Sequence, residues 1–113
     1  MNQDYVYSSE RPVGNLPNLF LVADGMGGHK AGDYASRAAV RTIVESASAS
    51  PLTDPVRILQ EAIQAANTLI YERADGSAEL QGMGTTVVAA RCQGEGLYVA
   101  NVGDSRLYVA GSQ

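Results

Sequence analysis

An apolar run that ends in an aspartate and a glycine-rich turn constrains this chain most. The run is "NLFLVAD" at residues 18–24, and three glycines occur in the next four positions. A short apolar run bounded by turn residues predicts a strand that is buried on both faces. Glycines such as Gly25 can adopt backbone angles closed to other residues and let a ligand or an ion approach the carbonyl oxygens. The end of this strand is therefore a candidate binding site.

Further strands flank the apolar run in the sequence. Residues 4–8 form a short strand-like segment, and the glycine- and proline-rich residues 10–17 predict a turn. A polar, glycine-rich loop is predicted at 75–84. Three β-rich segments follow it, at 85–92, 96–102 and 105–111. With two helices before that loop, the order predicts an α+β fold in which helices cover one face of a mainly antiparallel sheet.

Two helices are predicted between the second and third strands. Asp33 is placed to cap the first helix, and Pro55 fits the first position of the second, with Thr53 or Asp54 as its cap. Each helix has a stripe of residues at helical spacing. They are Ala35, Ala38, Ala39, Thr42, Ile43 and Ala47 in the first helix and Val56, Leu59, Ile63, Ala66 and Ile70 in the second, which is expected to run to about residue 74.

Composition narrows the class of protein. The 113 residues carry 12 acidic and 8 basic side chains, and neither sign forms a run, which argues against a nucleic-acid partner. Cys92, the only cysteine, lies in an apolar stretch, so a disulfide framework is excluded. The sequence shows neither a signal peptide nor an apolar run of the roughly 18 residues that a membrane helix needs. We predict one soluble, cytoplasmic domain over residues 1–113 without a membrane partner.

Three aspartates lie where strands end or turn. Asp4 opens the first strand, Asp24 closes the second, and Asp104 lies in the turn between the last two. A set of oxygen ligands with no cysteine sulfur among them suits Mg²⁺ or Mn²⁺. Aspartates also occur in turns because they form local hydrogen bonds there. Their spacing in the sequence leaves both interpretations open. The glycine-rich turn does not fit the Walker or dinucleotide pattern. His29, the only histidine, has no partner for a zinc site and is expected in a loop or at a helix start.

Four segments taken together resemble the metal-dependent protein serine/threonine phosphatases of type 2C, especially the bacterial members. They are "NQD" at 2–4, "VADGMGGHKAGDYAS" at 22–36, "GMGTT" at 82–86 and "ANVGDSR" at 100–106. The resemblance implies half of a four-layer α-β-β-α sandwich, in which antiparallel sheets are covered by helices. On this basis residues 1–113 are expected to be a single partial domain, the N-terminal half, truncated at both ends.

The resemblance also implies a centre of two, or three, Mn²⁺ or Mg²⁺ ions. Asp24 corresponds to the catalytic carboxylate that bridges two metals, and Gly25 to the residue whose carbonyl binds one of them. Asp4 corresponds to the acidic group that contacts the second metal, and Asp104 to a ligand of the third. A metal-bridged hydroxide would attack the phosphorus of phosphoserine or phosphothreonine proteins. Serine/threonine kinases and their substrates are the expected partners.

Departures from the family pattern limit what this chain is expected to do. Met26 stands where animal members have a proton-donating histidine, so His29 is not given that role. The phosphate-binding arginine is expected before Met1, and the remaining acidic ligands after residue 113. We therefore expect weak or absent metal binding and no activity from this chain alone. The alternative function is a catalytically incomplete fragment or truncated paralogue that self-associates through its exposed sheet, or acts as an interaction module.

Overall fold

A five-stranded antiparallel sheet and two helices make up the described part of the chain. The computed structural model describes residues 4–25, 29–75, 86–91, 97–102 and 109–112. The elements are β1 (Asp4–Ser9), β2 (Leu19–Gly25), α1 (His29–Ala49), α2 (Pro55–Asp75), β3 (Thr86–Arg91), β4 (Leu97–Val102) and β5 (Val109–Ser112). The strands lie side by side in chain order, each antiparallel to the next. This is the predicted α+β order, with the helical hairpin inserted between β2 and β3.

The helices begin where local capping chemistry allows. In α2, the Asp54 carboxylate accepts a hydrogen bond from the Val56 amide at 3.2 Å, so Asp54 is the cap and Pro55 the first helical residue, as predicted. In α1, the prediction that Asp33 caps the helix is wrong, because the helix already begins at His29. The residues before Asp33 include Lys30 and Ala31, which have good helix propensity and extend the helix backward. His29 thus lies at a helix start, as predicted.

The core lies between the helices and one face of the sheet. Every second residue of β2 is fully buried, and the predicted stripes of both helices supply most of the opposite side. The largest fully buried side chains are Leu16, Leu19, Leu21, Ile43, Ile58, Leu59, Ile63 and Ile70. Small residues on both helices, such as Ala39 and Ala66, let the two helices and the sheet approach closely. Neither described helix combines the length and apolar character that crossing a bilayer would require.

The other face of β2 is exposed, so the prediction of a strand buried on both faces is wrong. Phe20 is 40% exposed and Val22 is 44% exposed, although both are large and apolar. The helices cover only the face that carries Leu19 and Leu21, and the described residues provide no layer over the opposite one. We call the uncovered surface around Val6, Phe20 and Val22 the open face.

The turn between β1 and β2 fastens the sheet to the helices. Val13 and Leu16 exchange two backbone hydrogen bonds of 2.9 and 3.0 Å, and both side chains are buried. Between them, Gly14 has a φ of 59°, and a Cβ added there would lie 2.5 Å from the carbonyl oxygen of Ala47 in α1. The Asn15 amide donates a hydrogen bond of 2.7 Å to the Leu52 carbonyl between the helices. The turn therefore holds the connection between α1 and α2 in place.

Replacing Gly14 by alanine is expected to destabilise the fold. The positive φ costs an L-residue roughly 1–2 kcal/mol, and the new methyl group would collide with backbone atoms that cannot rotate away. We expect Gly14→Ala to lower the free energy of unfolding in urea by about 1–3 kcal/mol. Glu10→Ala changes an exposed residue of the same turn and serves as the control. Equal unfolding midpoints for the two variants would contradict the role given to Gly14.

Candidate metal centre

Two predicted site residues lie directly opposite each other in the sheet. Asp4 is the first residue of β1 and Asp24 the penultimate residue of β2, and the antiparallel register pairs them. Directly opposed residues lie on the same face of a sheet, with Cβ atoms about 4.5–5.5 Å apart. The Asp24 side chain is exposed. The register thus brings together two acidic residues that are 20 positions apart in the sequence.

All four sequence segments that carry the family resemblance reach the same end of the sheet, where β1 begins, β2 ends, β3 begins and β4 ends; we refer to this end of the strands as the Asp4–Asp24 edge. Gly25, the last residue of β2, is aligned with Thr86, the first residue of β3, and Thr86 is aligned in turn with Val102 at the end of β4. The segment at 2–4 ends in Asp4, and the segment at 82–86 ends in Thr86. The order of antiparallel strands therefore assembles segments that are distant in the sequence.

The described residues contain only part of the predicted ligand set. Asp104 follows β4 by two positions but lies outside the described residues, as do the turn predicted around it and residues 26–28. Within the described ranges, no group of three or more acidic, histidine or cysteine side chains is gathered closely enough to hold a metal ion. Thr86 was part of a motif but received no role from the sequence. Only the register shows that it is the neighbour of Gly25.

The register pairs two acidic residues, Asp4 and Asp24, at a position where a cation between them would be favourable. Like charges at directly opposed positions destabilise a sheet, so the pair is unfavourable when both carboxylates are ionised and nothing lies between them. Carboxylate oxygens are preferred ligands of Mg²⁺ and Mn²⁺, and a neighbouring backbone carbonyl, such as that of Gly25, is of the same hard-oxygen type. The donor set at this edge therefore fits a divalent metal ion, with the remaining ligands still to be supplied.

Comparison with known proteins identifies relatives over the whole chain. The family model described as protein phosphatase 2C matches residues 1–113. The serine/threonine phosphatase stp of Listeria innocua is 43% identical over 95 residues, which cover 80% of this chain and 38% of the relative. The serine/threonine protein phosphatase PstP of Mycobacterium tuberculosis is 35% identical over 108 residues, which cover 96% of this chain and 20% of the relative.

Solved structures share the fold. The catalytic domain of PstP in complex with two manganese ions superposes with a TM-score of 0.67 at 28% identity, covering 96% of this chain and 48% of that domain. The chain thus spans about half of the solved domain and a smaller share of the full-length relatives.

Replacing Asp24 by asparagine is expected to change stability in opposite directions with and without metal. Without divalent ions, Asp24→Asn removes the repulsion from Asp4 and is expected to raise the free energy of unfolding by about 0.2–1 kcal/mol. With MnCl₂ in large excess, enough to load the weak site expected in this chain, the wild-type melting temperature is expected to rise more than that of the variant, because a bound ion stabilises the folded state.

The control for this measurement is Asp54→Asn. It removes the same charge from an exposed helix cap, and asparagine caps helices as well as aspartate does. Its shift with Mn²⁺ should match that of the wild type. If the wild type gained stability from Mn²⁺ and Asp24→Asn gained just as much, the Asp4–Asp24 edge would not be the metal site.

Proposed function

Because the chain belongs to the protein phosphatase 2C family, we propose that it forms part of the catalytic domain of a metal-dependent protein serine/threonine phosphatase. The observation that carries this proposal is the opposition of Asp4 and Asp24 at the sheet edge that all four family motifs reach. Its substrates are phosphoserine and phosphothreonine proteins, among them serine/threonine kinases and kinase substrates. The names of the relatives from Listeria and Mycobacterium support this substrate class.

We assign the metal ligands as follows. Asp24 would hold the ions through its carboxylate and Gly25 through its backbone carbonyl, Asp4 would contribute a second acidic group, and Asp104 would contribute to a further ion. The ions are Mn²⁺ or Mg²⁺, and the manganese ions of the PstP structure support the former. Such ions supply charge neutralisation at the phosphate and acidify water that would otherwise be a poor nucleophile. The protein's contribution is to hold two carboxylates at fixed spacing on paired strands.

We further propose that catalysis belongs to a complete domain and not to residues 1–113 alone. This chain covers 48% of the solved PstP domain and 38% of the Listeria relative, so the part of the domain that it does not cover can supply further metal ligands. Sites for Mg²⁺-type ions need a nearly complete shell of oxygen ligands, and two carboxylates with one carbonyl do not fill it. The single cysteine, which cannot form a disulfide within the chain, supports a reducing compartment such as the cytoplasm.

The 113-residue chain is expected to show no Mn²⁺-dependent hydrolysis of p-nitrophenyl phosphate above the blank. A fusion that adds to residues 1–113 the parts of the PstP catalytic domain that precede and follow the matched region is expected to be active, because it restores the phosphate-binding arginine and the missing metal ligands. Asp24→Ala in the fusion should abolish turnover, whereas Asp54→Asn should leave it unchanged. Clear turnover by the chain alone that is lost in Asp24→Ala would show that the second half is not required.

A second proposed role is self-association of the chain through the open face. Val6 is 65% exposed and is paired with Val22 in the register. The same row continues through Ala89 and Val99 to Ala110, so apolar residues occupy aligned positions on all five strands. The exposed apolar side chains of Val6, Phe20 and Val22 favour burial against another surface, and a second copy of the chain offers an identical one.

Self-association is expected to appear as a dimer or larger species in light scattering at micromolar concentration. Val22→Lys is expected to reduce the mass toward that of the monomer, because the charge would have to be buried in the interface. Tyr71→Lys provides the matched control, since Tyr71 on α2 is equally exposed at 44% but lies on the other side of the molecule. A monodisperse wild-type monomer would contradict the proposal.

A further inference from the structure

The acidic pair and the open face belong to one surface of the sheet. Phe20, Val22 and Asp24 occupy alternate positions of β2 and all three are exposed, whereas Leu21 and Ala23 between them are buried in the core. Alternate residues of a strand lie on the same face, and two positions along a strand are about 7 Å apart. Asp24 therefore lies at the border of the open face.

Strand β1 repeats this arrangement. Val6 is aligned with Val22, and Asp4 is aligned with Asp24. Directly opposed residues share a face, so both strands carry an exposed-face valine and, two positions further toward the end of the sheet, an acidic residue. A layer that packs on Val6 and Val22 is consequently brought next to the acidic pair.

The spacing between packed layers suits an ion that is held from both sides. Sheets that pack face to face are about 10 Å apart. One acidic side chain from each layer, with metal–oxygen distances of about 2.0–2.1 Å, can span such a gap. The described residues offer two carboxylates and the carbonyl of Gly25, which do not complete an oxygen shell. A layer over the open face would be close enough to supply the remaining ligands.

The length of the solved domain indicates what this layer is. The chain covers 48% of the PstP catalytic domain, so about half of that domain has no counterpart in residues 1–113. We call this other half the complementary part. The described residues leave the open face without a covering layer, and its large apolar side chains are 40–65% exposed. One missing half of a domain and one uncovered apolar face therefore fit each other.

We infer that the open face is the docking surface for the complementary part of the phosphatase domain, and that docking and Mn²⁺ binding strengthen each other. The identity of the partner rests on the proposed function. An ion held from both layers binds tightly only when the two are docked, and by linkage it raises the docking affinity by the same factor. The apolar residues provide the part of the affinity that is independent of metal, and Asp24 provides the part that depends on it.

The test uses two separate polypeptides that are expressed together. One is residues 1–113 with a fluorescent label, and the other is the part of the PstP catalytic domain that follows the matched region. Sedimentation of the labelled chain over a dilution series gives the dissociation constant in EDTA and in excess MnCl₂. We expect association in EDTA, and association that is roughly tenfold or more tighter in MnCl₂, within the usual range of coupling between two sites.

Two variants separate the contributions. Val22→Lys is expected to weaken association roughly tenfold or more in both EDTA and MnCl₂, because the charge would be buried against an apolar layer. Asp24→Asn is expected to associate in EDTA and to lose most of the gain from MnCl₂. Tyr71→Lys and Asp54→Asn make the same changes on the helices and should behave like the wild type. Circular dichroism establishes that each variant is folded, and Val6→Lys replaces Val22→Lys should the latter unfold.

Mn²⁺ binding provides the reciprocal measurement. Electron paramagnetic resonance of free Mn²⁺ is expected to show weak binding to residues 1–113 and binding that is tighter by the same factor in the complex. Tight Mn²⁺ binding by a complex that does not hydrolyse p-nitrophenyl phosphate would support this inference and contradict only the proposed function.

Four outcomes would overturn the inference. The first is a lack of association between the separate pieces when their covalent fusion is folded. The second is an equal dissociation constant in EDTA and MnCl₂, which would show that docking and metal binding are independent. The third is an equal gain from MnCl₂ in Asp24→Asn and the wild type, which would place the ion elsewhere. The fourth is a homodimer of residues 1–113 that persists in excess complementary part, which would make a second copy the occupant of the open face.

Discussion

The antiparallel pairing of β1 with β2 is the constraint on which the rest of the molecule depends. A shift of one residue in this register would move Asp24 away from Asp4 and would also turn Leu19, Leu21 and Ala23 out of the core. The same hydrogen-bonded ladder therefore fixes the hydrophobic core and the acidic pair together. A mutation that slips the strand cannot damage one without damaging the other.

The helical hairpin holds this register from the other side. The turn around Gly14 packs on the end of α1, and Asn15 is bonded to the connection between α1 and α2. The β1–β2 hairpin and the helices are thus joined both through the core and through the turn. Asp4 and Asp24 lie at the opposite end of this hairpin from the turn, so the hydrogen-bonded ladder and the core between the two ends keep their spacing constant. Constant spacing of charged groups is what a metal centre requires of its scaffold.

Patterns that are local in the sequence were predictable, whereas relations between elements mostly were not. Apolar spacing identified both helices, and the proline after Asp54 located the start of α2. The apolar content of β2 was misleading, because Phe20 and Val22 are as hydrophobic as the buried residues beside them, and only the position of the helices distinguishes the faces. The prediction that Asp33 caps α1 was wrong because the neighbouring sequence does not distinguish an aspartate inside a helix from one at the helix start.

The pairing of Asp4 with Asp24 could not be predicted from local sequence, because it depends on the register between β1 and β2. The alignment of Thr86 with Gly25 depends in the same way on the register between β2 and β3.

The acidic pair places like charges at opposed positions, and this arrangement does not help the fold. Opposed carboxylates on a sheet cost a few tenths of a kcal/mol or more. Hydrophobic burial of β2 and the two helices provides stability without the pair, so the fold does not explain why two acidic residues are paired there. A divalent cation between them, as proposed above, would explain the pairing, because it would turn a repulsion into a shared attraction.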